Sequence, residues 1–311
     1  MLLGSVCMSH SPLIDRNRAD PGAETRFYAA VDCAAAMVKE MRPDLAVIIY
    51  PDHVNGFFYN LLPSFCVGLG GKSIGDFGTA AGRMDIPEDR ALELARHVLD
   101  EGVDTAVSYD MTVDHGAAQP YEFLIVQHLI PQVIPVFVNC AMPPRPTMAR
   151  TRALGEAIGQ WARNAPERVL LIGSGGLSHD PPIPAIASAP PAVRRQLIEG
   201  NELSHVQRMA RQNRALAEGP AVRDGVSELL PLNPEWDRML MDALVAGRLE
   251  VLDDWTDARI SEIGGRGGHE VRSWLAALAA LGEGYRGEEL FYEPVAEWIT
   301  GMGIMAACPA A

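Results

Sequence analysis

The chain has 311 residues, 48% hydrophobic and 21% charged, and its 26 Lys+Arg against 40 Asp+Glu leave a formal charge of −14. That length can bury a sizeable core, and 29 Gly with 23 Pro is too ordinary for a collagen-like or disordered chain. The acidic balance argues against nucleic acid or an anionic membrane as the main partner.

In chain order, the first expected strand is Leu2–Cys7, which lacks a basic start and meets Ser9-His10-Ser11 too soon for a signal peptide. A helix follows, with Phe27, Ala30, Val31, Ala34, Met37, Val38 and Met41 at helical spacing and Arg42-Pro43 as its stop. Leu45–Tyr50 reads as the second strand, and Thr105–Tyr109, Val133–Asn139 and Val169–Gly173 as three more. Short continuous apolar runs of this kind suit strands buried on both faces. Between them, Pro87 opens a helix that Gly102 can cap, and Thr147 caps one running to about Asn164. Asn233-Pro234 starts a helix running to Gly247, and a last one covers about Gly268 to Leu281.

The alternation predicts an α/β fold, a mostly parallel or mixed sheet covered by helices on both faces. Residues 1–311 read as a single catalytic domain. Its one departure is a Pro-rich, then helical, excursion over about residues 180–225 that could cover a site. No run reaches the roughly 18 apolar residues of a membrane span. Cys7, Cys33, Cys66, Cys140 and Cys308 form no CxxC pair, so a reduced cytoplasm is the expected setting.

Three motif-like stretches fail. Gly70-Gly71-Lys72-Ser73 has Cys66 where a phosphate loop needs its first glycine. Ile172-Gly173-Ser174-Gly175-Gly176 has Ile172 where a nucleophile elbow needs glycine. Adjacent Ser178-His179-Asp180 cannot form a catalytic triad.

Four histidines share a context. His10 follows the first strand, His53 the second and His179 the fifth, while His115 lies shortly after the third in Val113-Asp114-His115-Gly116. If those strands are parallel, all four fall at carboxyl ends, where open α/β sheets gather ligands. His97, His128 and His205 fall in helical stretches and read as solvated or capping residues, whereas His269, before Glu270, stays open. Two histidines and one carboxylate would hold Fe(II) with positions free for substrate and dioxygen, or zinc with an activated water. The carboxylates in question are Asp52, Asp114, Asp180, Glu235 and Glu270.

The chain also resembles the class III extradiol ring-cleaving dioxygenases of the protocatechuate 4,5-dioxygenase superfamily, nearly end to end. The resemblance rests on Ser9-His10-Ser11-Pro12-Leu13, Pro51-Asp52-His53 with Asn55-Gly56-Phe57-Phe58-Tyr59, and Ile74-Gly75-Asp76-Phe77-Gly78. It continues through Val113-Asp114-His115-Gly116, Gly173 to His179, Leu232-Asn233-Pro234 and His269-Glu270. It implies Fe(II) held by His10, His53 and Glu270, with His115 and His179 as acid and base. Beside these, Asp114 and Asp180 read either as residues that orient the neighbouring imidazoles or as polar loop residues only.

The implied reaction is meta cleavage by O2 of a catechol with a propionate side chain, 3-(2,3-dihydroxyphenyl)propionate or its cinnamate analogue. The product would be 2-hydroxy-6-oxonona-2,4-diene-1,9-dioate, and the protein a homo-oligomer. The propionate needs a cation, for which Arg83, Arg145, Arg150, Arg266 and Arg272 are all conceivable. The competing readings are a metal-dependent hydrolase and a non-catalytic binding protein on the same fold.

Overall fold

The computed structural model describes residues 1–125, 132–200 and 203–310; His128 lies outside them. The first half holds β1 (Leu2–Met8), β2 (Leu45–Tyr50), β3 (Phe65–Gly68), β4 (Gly71–Ile74), β5 (Ala81–Arg83), β6 (Ala106–Ser108), β7 (Met111–Val113) and β8 (Gln132–Val138). The second half adds β9 (Val169–Ser174), β10 (Arg286–Val295) and β11 (Thr300–Cys308). The helices are α1 (Pro21–Met41), α2 (Glu88–Asp100), α3 (His115–Leu124), α4 (Met148–Asn164) and α5 (Pro191–Glu199), then α6 (His205–Arg223), α7 (Pro234–Val245), α8 (Asp257–Ile263) and α9 (Val271–Ala279).

Among the described residues eight strands form one sheet in the order β10-β11-β1-β9-β2-β8-β3-β6. Its centre, β1-β9-β2-β8, is parallel, with Val6 beside Ile172 and Val47 beside both Leu171 and Ile134. The apolar runs are explained by burial on two sides. Leu45, Val47 and Ile49 enter one core with α4 and α9, while Ala46, Ile48 and Tyr50 enter a second with α1. Successive strand residues point to opposite faces, so a strand covered on both must be apolar throughout. The expected α/β architecture with helices on both faces is therefore what the chain adopts.

Helix boundaries follow the local chemistry. Asp20 accepts from Ala23 N at the start of α1, Thr147 from Arg150 N at α4, and Asn233 from Trp236 N at α7. Helix α1 ends where Arg42 turns left-handed before Pro43. Helices α4 and α9 approach so closely that a Cβ on Gly155 would lie 2.1 Å from Ala276 O, and one on Gly159 2.0 Å from Ala280 O. The last helix, expected over about Gly268 to Leu281, divides into a 3-10 turn (Gly267–Glu270) and α9.

Beyond the unexpected β3, α3 and α8, two larger features stand out. Strands β10 and β11 form an antiparallel hairpin that extends the sheet beside β1, with Ser5 opposite Ala307. A separate three-stranded sheet, β5-β4-β7, stands apart from the large one. The excursion holds α5 and α6, and its Leu197 packs with Val54, Met142 and Ile183 in a small apolar cluster of its own. No described helix is long and apolar enough to cross a membrane.

Candidate active site

Strand order brings three histidines together. His10 follows β1, His179 follows β9 and His53 follows β2, and the sequence β1-β9-β2 sets those carboxyl ends side by side. His115 arrives by another route. The stretch Thr105–Tyr109, expected to deliver it, forms only the short edge strand β6. The delivering strand is β7 of the small sheet, after which Asp114 caps α3 and His115 is its first residue. Glu270 closes the 3-10 turn ahead of α9.

The donor atoms of His10, His53 and Glu270 converge. His53 Nε2 lies 3.3 Å from His10 Nε2 and 3.2 Å from Glu270 Oε1, and His10 Nε2 lies 3.6 Å from Glu270 Oε2. Three donors bound at about 2.1 Å to one ion stand roughly 3.0–3.4 Å apart at octahedral or tetrahedral angles. The residues present thus fit a small divalent metal, and two imidazoles with one carboxylate on one side leave other positions free. His10, His53 and His115 also bring ring nitrogens within 4.8 Å of one another. Glu270 supplies the negative charge that an all-imidazole set lacks.

Each ring is held from behind. Ser174 Oγ is 2.8 Å from His10 Nδ1, and Asp114 Oδ2 is 3.1 Å from His53 Nδ1, which turns both Nε2 atoms toward Glu270. Asp114 also accepts from the backbone N–H groups of His53 and Gly116. It therefore orients His53 and not its sequence neighbour His115. The partner of His115 is Asp76, a residue with no role among the sequence expectations: Oδ2 lies 2.6 Å from Nδ1, and Oδ1 accepts from His115 N at 2.8 Å. Nε2 of His115 is buried and has no hydrogen-bond partner among the described residues. His179 directs Nδ1 at Leu177 O, 2.9 Å away, and places Nε2 3.3 Å from Glu270 Oε1.

Burial and neighbouring charge act in opposite directions here. Burial pulls His10 down to about 3 despite Glu270, so its imidazole is neutral. For His179 burial also pulls down, but the charge and hydrogen bond of Glu270 carry the net shift upward. Burial pushes Glu270 up, yet His179 and His10 hold it well below the usual carboxylate range. His53 is likewise pulled down by burial, but Asp114 and Glu270 hold it well above the usual imidazole range.

The histidines line the floor of a cavity of about 310 Å³ whose walls include Val54, Phe58, Phe77, Ile183, Leu197 and Ile299. The other candidates raised by the sequence lie elsewhere. Asp52 accepts three backbone N–H bonds from residues 55–57, and Glu235 is exposed on α7. His269 bonds Ser261 Oγ and Arg272, both 2.8 Å away, and does not line the cavity. His97 sits half-buried on α2, and His205 opens α6.

Asp180 does not meet His179. It accepts from Arg266 Nε at 2.6 Å, and Arg266 donates onward to Ile183 O and Pro181 O, tying down the Pro-rich segment. The expected side-chain cations are also elsewhere. Arg83 pairs with Asp110, Arg145 and Arg272 with Asp257, Arg266 with Asp180, and Arg150 bonds Gly102 O. None of the five lines the cavity; Arg211 and Arg214 of α6 do. A signal was available in the spacing, since Gln207, Arg211 and Arg214 share one helical face.

Comparison with known proteins identifies the family. Residues 4–303 match the family described as the catalytic LigB subunit of aromatic ring-opening dioxygenase. Three relatives carry the name 2,3-dihydroxyphenylpropionate/2,3-dihydroxicinnamic acid 1,2-dioxygenase. The one from Rhodococcus sp is 46% identical, covering 99% of this chain and 98% of its own. Those from Mycobacterium sp. (strain MCS) and Paraburkholderia xenovorans (strain LB400) are 47% and 45% identical, with 97% and 98% of this chain and 97% of each of theirs covered. The fold is shared with an uncharacterized protein from Escherichia coli K12, at 12% identity and TM-score 0.53, over 97% of this chain and 99% of that one. The chain belongs to the family of the catalytic LigB subunit of aromatic ring-opening dioxygenases, and it is an extradiol dioxygenase.

Proposed function

We propose that the protein opens the ring of 3-(2,3-dihydroxyphenyl)propionate, and of its cinnamate analogue, beside the two hydroxyls, using Fe(II) held by His10, His53 and Glu270. The observation that carries this reading is the convergence of those three donors beside a cavity lined by His10, His53, His115 and His179. The names of the relatives support the substrate.

Iron, when bound, supplies chelation of both catechol oxygens and a route for electrons between ring and dioxygen. The chain's own residues handle protons and water. His179, with Nδ1 on a backbone carbonyl, keeps a lone pair on Nε2 and takes a phenolic proton as substrate binds. His115 lines the cavity, its buried Nε2 has no hydrogen-bond partner among the described residues, and it returns a proton to a substrate oxygen as the ring opens. Asp76 steadies the charged form of that ring through Nδ1. The apolar walls exclude bulk water. Both oxygen atoms enter the product, 2-hydroxy-6-oxonona-2,4-diene-1,9-dioate, so no NADH is consumed.

A cytoplasmic homo-oligomer belongs to the same reading; five free cysteines suit a reduced compartment, and light scattering tests the assembly. The reaction is tested with anaerobically iron-loaded protein in an oxygen electrode. One O2 consumed per catechol, with a visible product, is the expected result. No uptake with any substituted catechol contradicts it, and turnover by zinc-loaded protein without O2 establishes the hydrolase instead.

A further inference from the structure

The protein carries a net charge of −14, yet the wall of its cavity is cationic. Its charged side chains, apart from the histidines, are Arg211 and Arg214, and no Asp or Glu lines it among the described residues. Arg211 is half-buried in that wall, whereas Arg214 is exposed at the cavity's edge. Such a wall favours an anionic guest, whatever the charge of the whole molecule.

The two arginines are not equivalent. Arg211 is committed to the protein: its guanidinium donates to His53 O, to Val54 O at 3.5 Å and to Asn55 Oδ1 at 3.3 Å. It thereby pins α6 to the loop that presents His53. Arg214 stands one turn further along and makes no hydrogen bond or ion pair among the described residues. Residues three apart on a helix share a face, so the bonds that fix Arg211 also fix where the free guanidinium of Arg214 begins. Gln207, Ala210 and Ala215 line the cavity from the same face, and Gln207, Ala210 and Arg214 are also open to solvent, so this side of α6 forms the rim of the site.

Resting on the ring-cleavage reading above, we propose that Arg214 recognises the carboxylate at the end of the substrate's side chain and so selects acidic catechols over neutral ones. Two guanidinium N–H groups match two carboxylate oxygens, a pairing that fixes direction as well as charge. The aromatic ring is then set with its hydroxyls at the histidine floor and its tail along α6. Arg211 acts differently, as a positioning residue for the His53 loop.

The test separates recognition from turnover by using ligands that cannot react. Binding of 3-phenylpropionate and of the neutral 3-phenylpropanol to anaerobic iron-loaded protein is measured by calorimetry, for wild type, Arg214→Gln and Arg214→Lys. Wild type is expected to prefer the acid. Arg214→Gln should weaken acid binding about 10- to 100-fold and bring acid and alcohol to near parity, while Arg214→Lys keeps part of the preference. The ratio of kcat/KM for the acidic catechol over 3-propylcatechol should fall by a similar factor, chiefly through KM. An acid preference unchanged in Arg214→Gln, an equal loss for both ligands, or a wild type indifferent to the carboxylate overturns the assignment. Oxygen uptake by wild type with 3-propylcatechol tests ring cleavage separately, because that substrate has no carboxylate.

Discussion

A Cβ on Gly267 would stand 2.0 Å from Nε2 of His179 and 2.1 Å from its Cδ2. The ring therefore occupies space that any side chain at Gly267 would need. The same glycine donates its N–H to His179 O at 2.9 Å, so backbone and ring are registered together. Gly267→Ala must displace the imidazole, and a shift of about 1 Å in such a group can cost on the order of 100-fold in rate. We expect kcat to fall by about that factor while iron content stays at the wild-type level. Wild-type turnover in this variant would show that the ring position is not critical.

Asp76 offers a second check on how the histidines are held. In Asp76→Asn one oxygen can still accept from His115 N, but the negative charge behind Nδ1 is lost. Removing such a supporting carboxylate typically costs about 10- to 100-fold. Steady-state kinetics should show that loss in kcat, with an unchanged melting temperature and iron content. A variant as active as wild type would show that His115 works without Asp76.

Much of the scaffold was legible because it obeys short-range rules. Strands β1, β2 and β9 are continuous apolar runs, and α4 and α7 announce themselves through Thr147 and Asn233-Pro234. Strand β11 escaped because Thr-Gly-Met-Gly-Ile-Met-Ala-Ala-Cys has little β-branched content, and its pairing with β1 lies about 300 residues away. His10, His53 and His179 were found from the strands preceding them. His115 was found beside the wrong strand, since β7 is only three residues long and belongs to another sheet. The Asp76–His115 pair spans 39 positions, and no local pattern reports such a contact. Arg214 was absent from the candidate cations because its place at the cavity follows from the packing of α6, not from its neighbours in the chain.

The α4–α9 contact predicts a stability effect away from the site. Gly159→Ala would put a methyl group 2.0 Å from Ala280 O, so the helices must separate. Overpacking of this kind costs about 1–3 kcal/mol. A thermal melt should show Tm lowered by a few degrees, following the usual scaling for a chain of this size. An unchanged Tm would mean that the two helices are free to move apart.

Thiol chemistry gives a pH-dependent check on the core. Burial pushes Cys7, Cys66 and Cys140 up to about 12, so at pH 8 they remain protonated as well as covered. The thiolate is the reactive form. Native protein treated with iodoacetamide at pH 8 should be alkylated at exposed Cys33 and spared at these three, all of which react once the chain is unfolded. Rapid labelling of Cys66 in native protein would contradict its burial.

The central claim is a division of labour among five side chains, and iron content measured by plasma emission after anaerobic loading tests it most directly. His10→Ala, His53→Ala and Glu270→Ala each remove one of the three converging donors. They are expected to emerge with little iron and no oxygen uptake. His115→Ala and His179→Ala leave that set intact and are expected to hold about one iron per chain while losing turnover. Iron lost alike from both groups, or retained alike in both, would contradict the assignment.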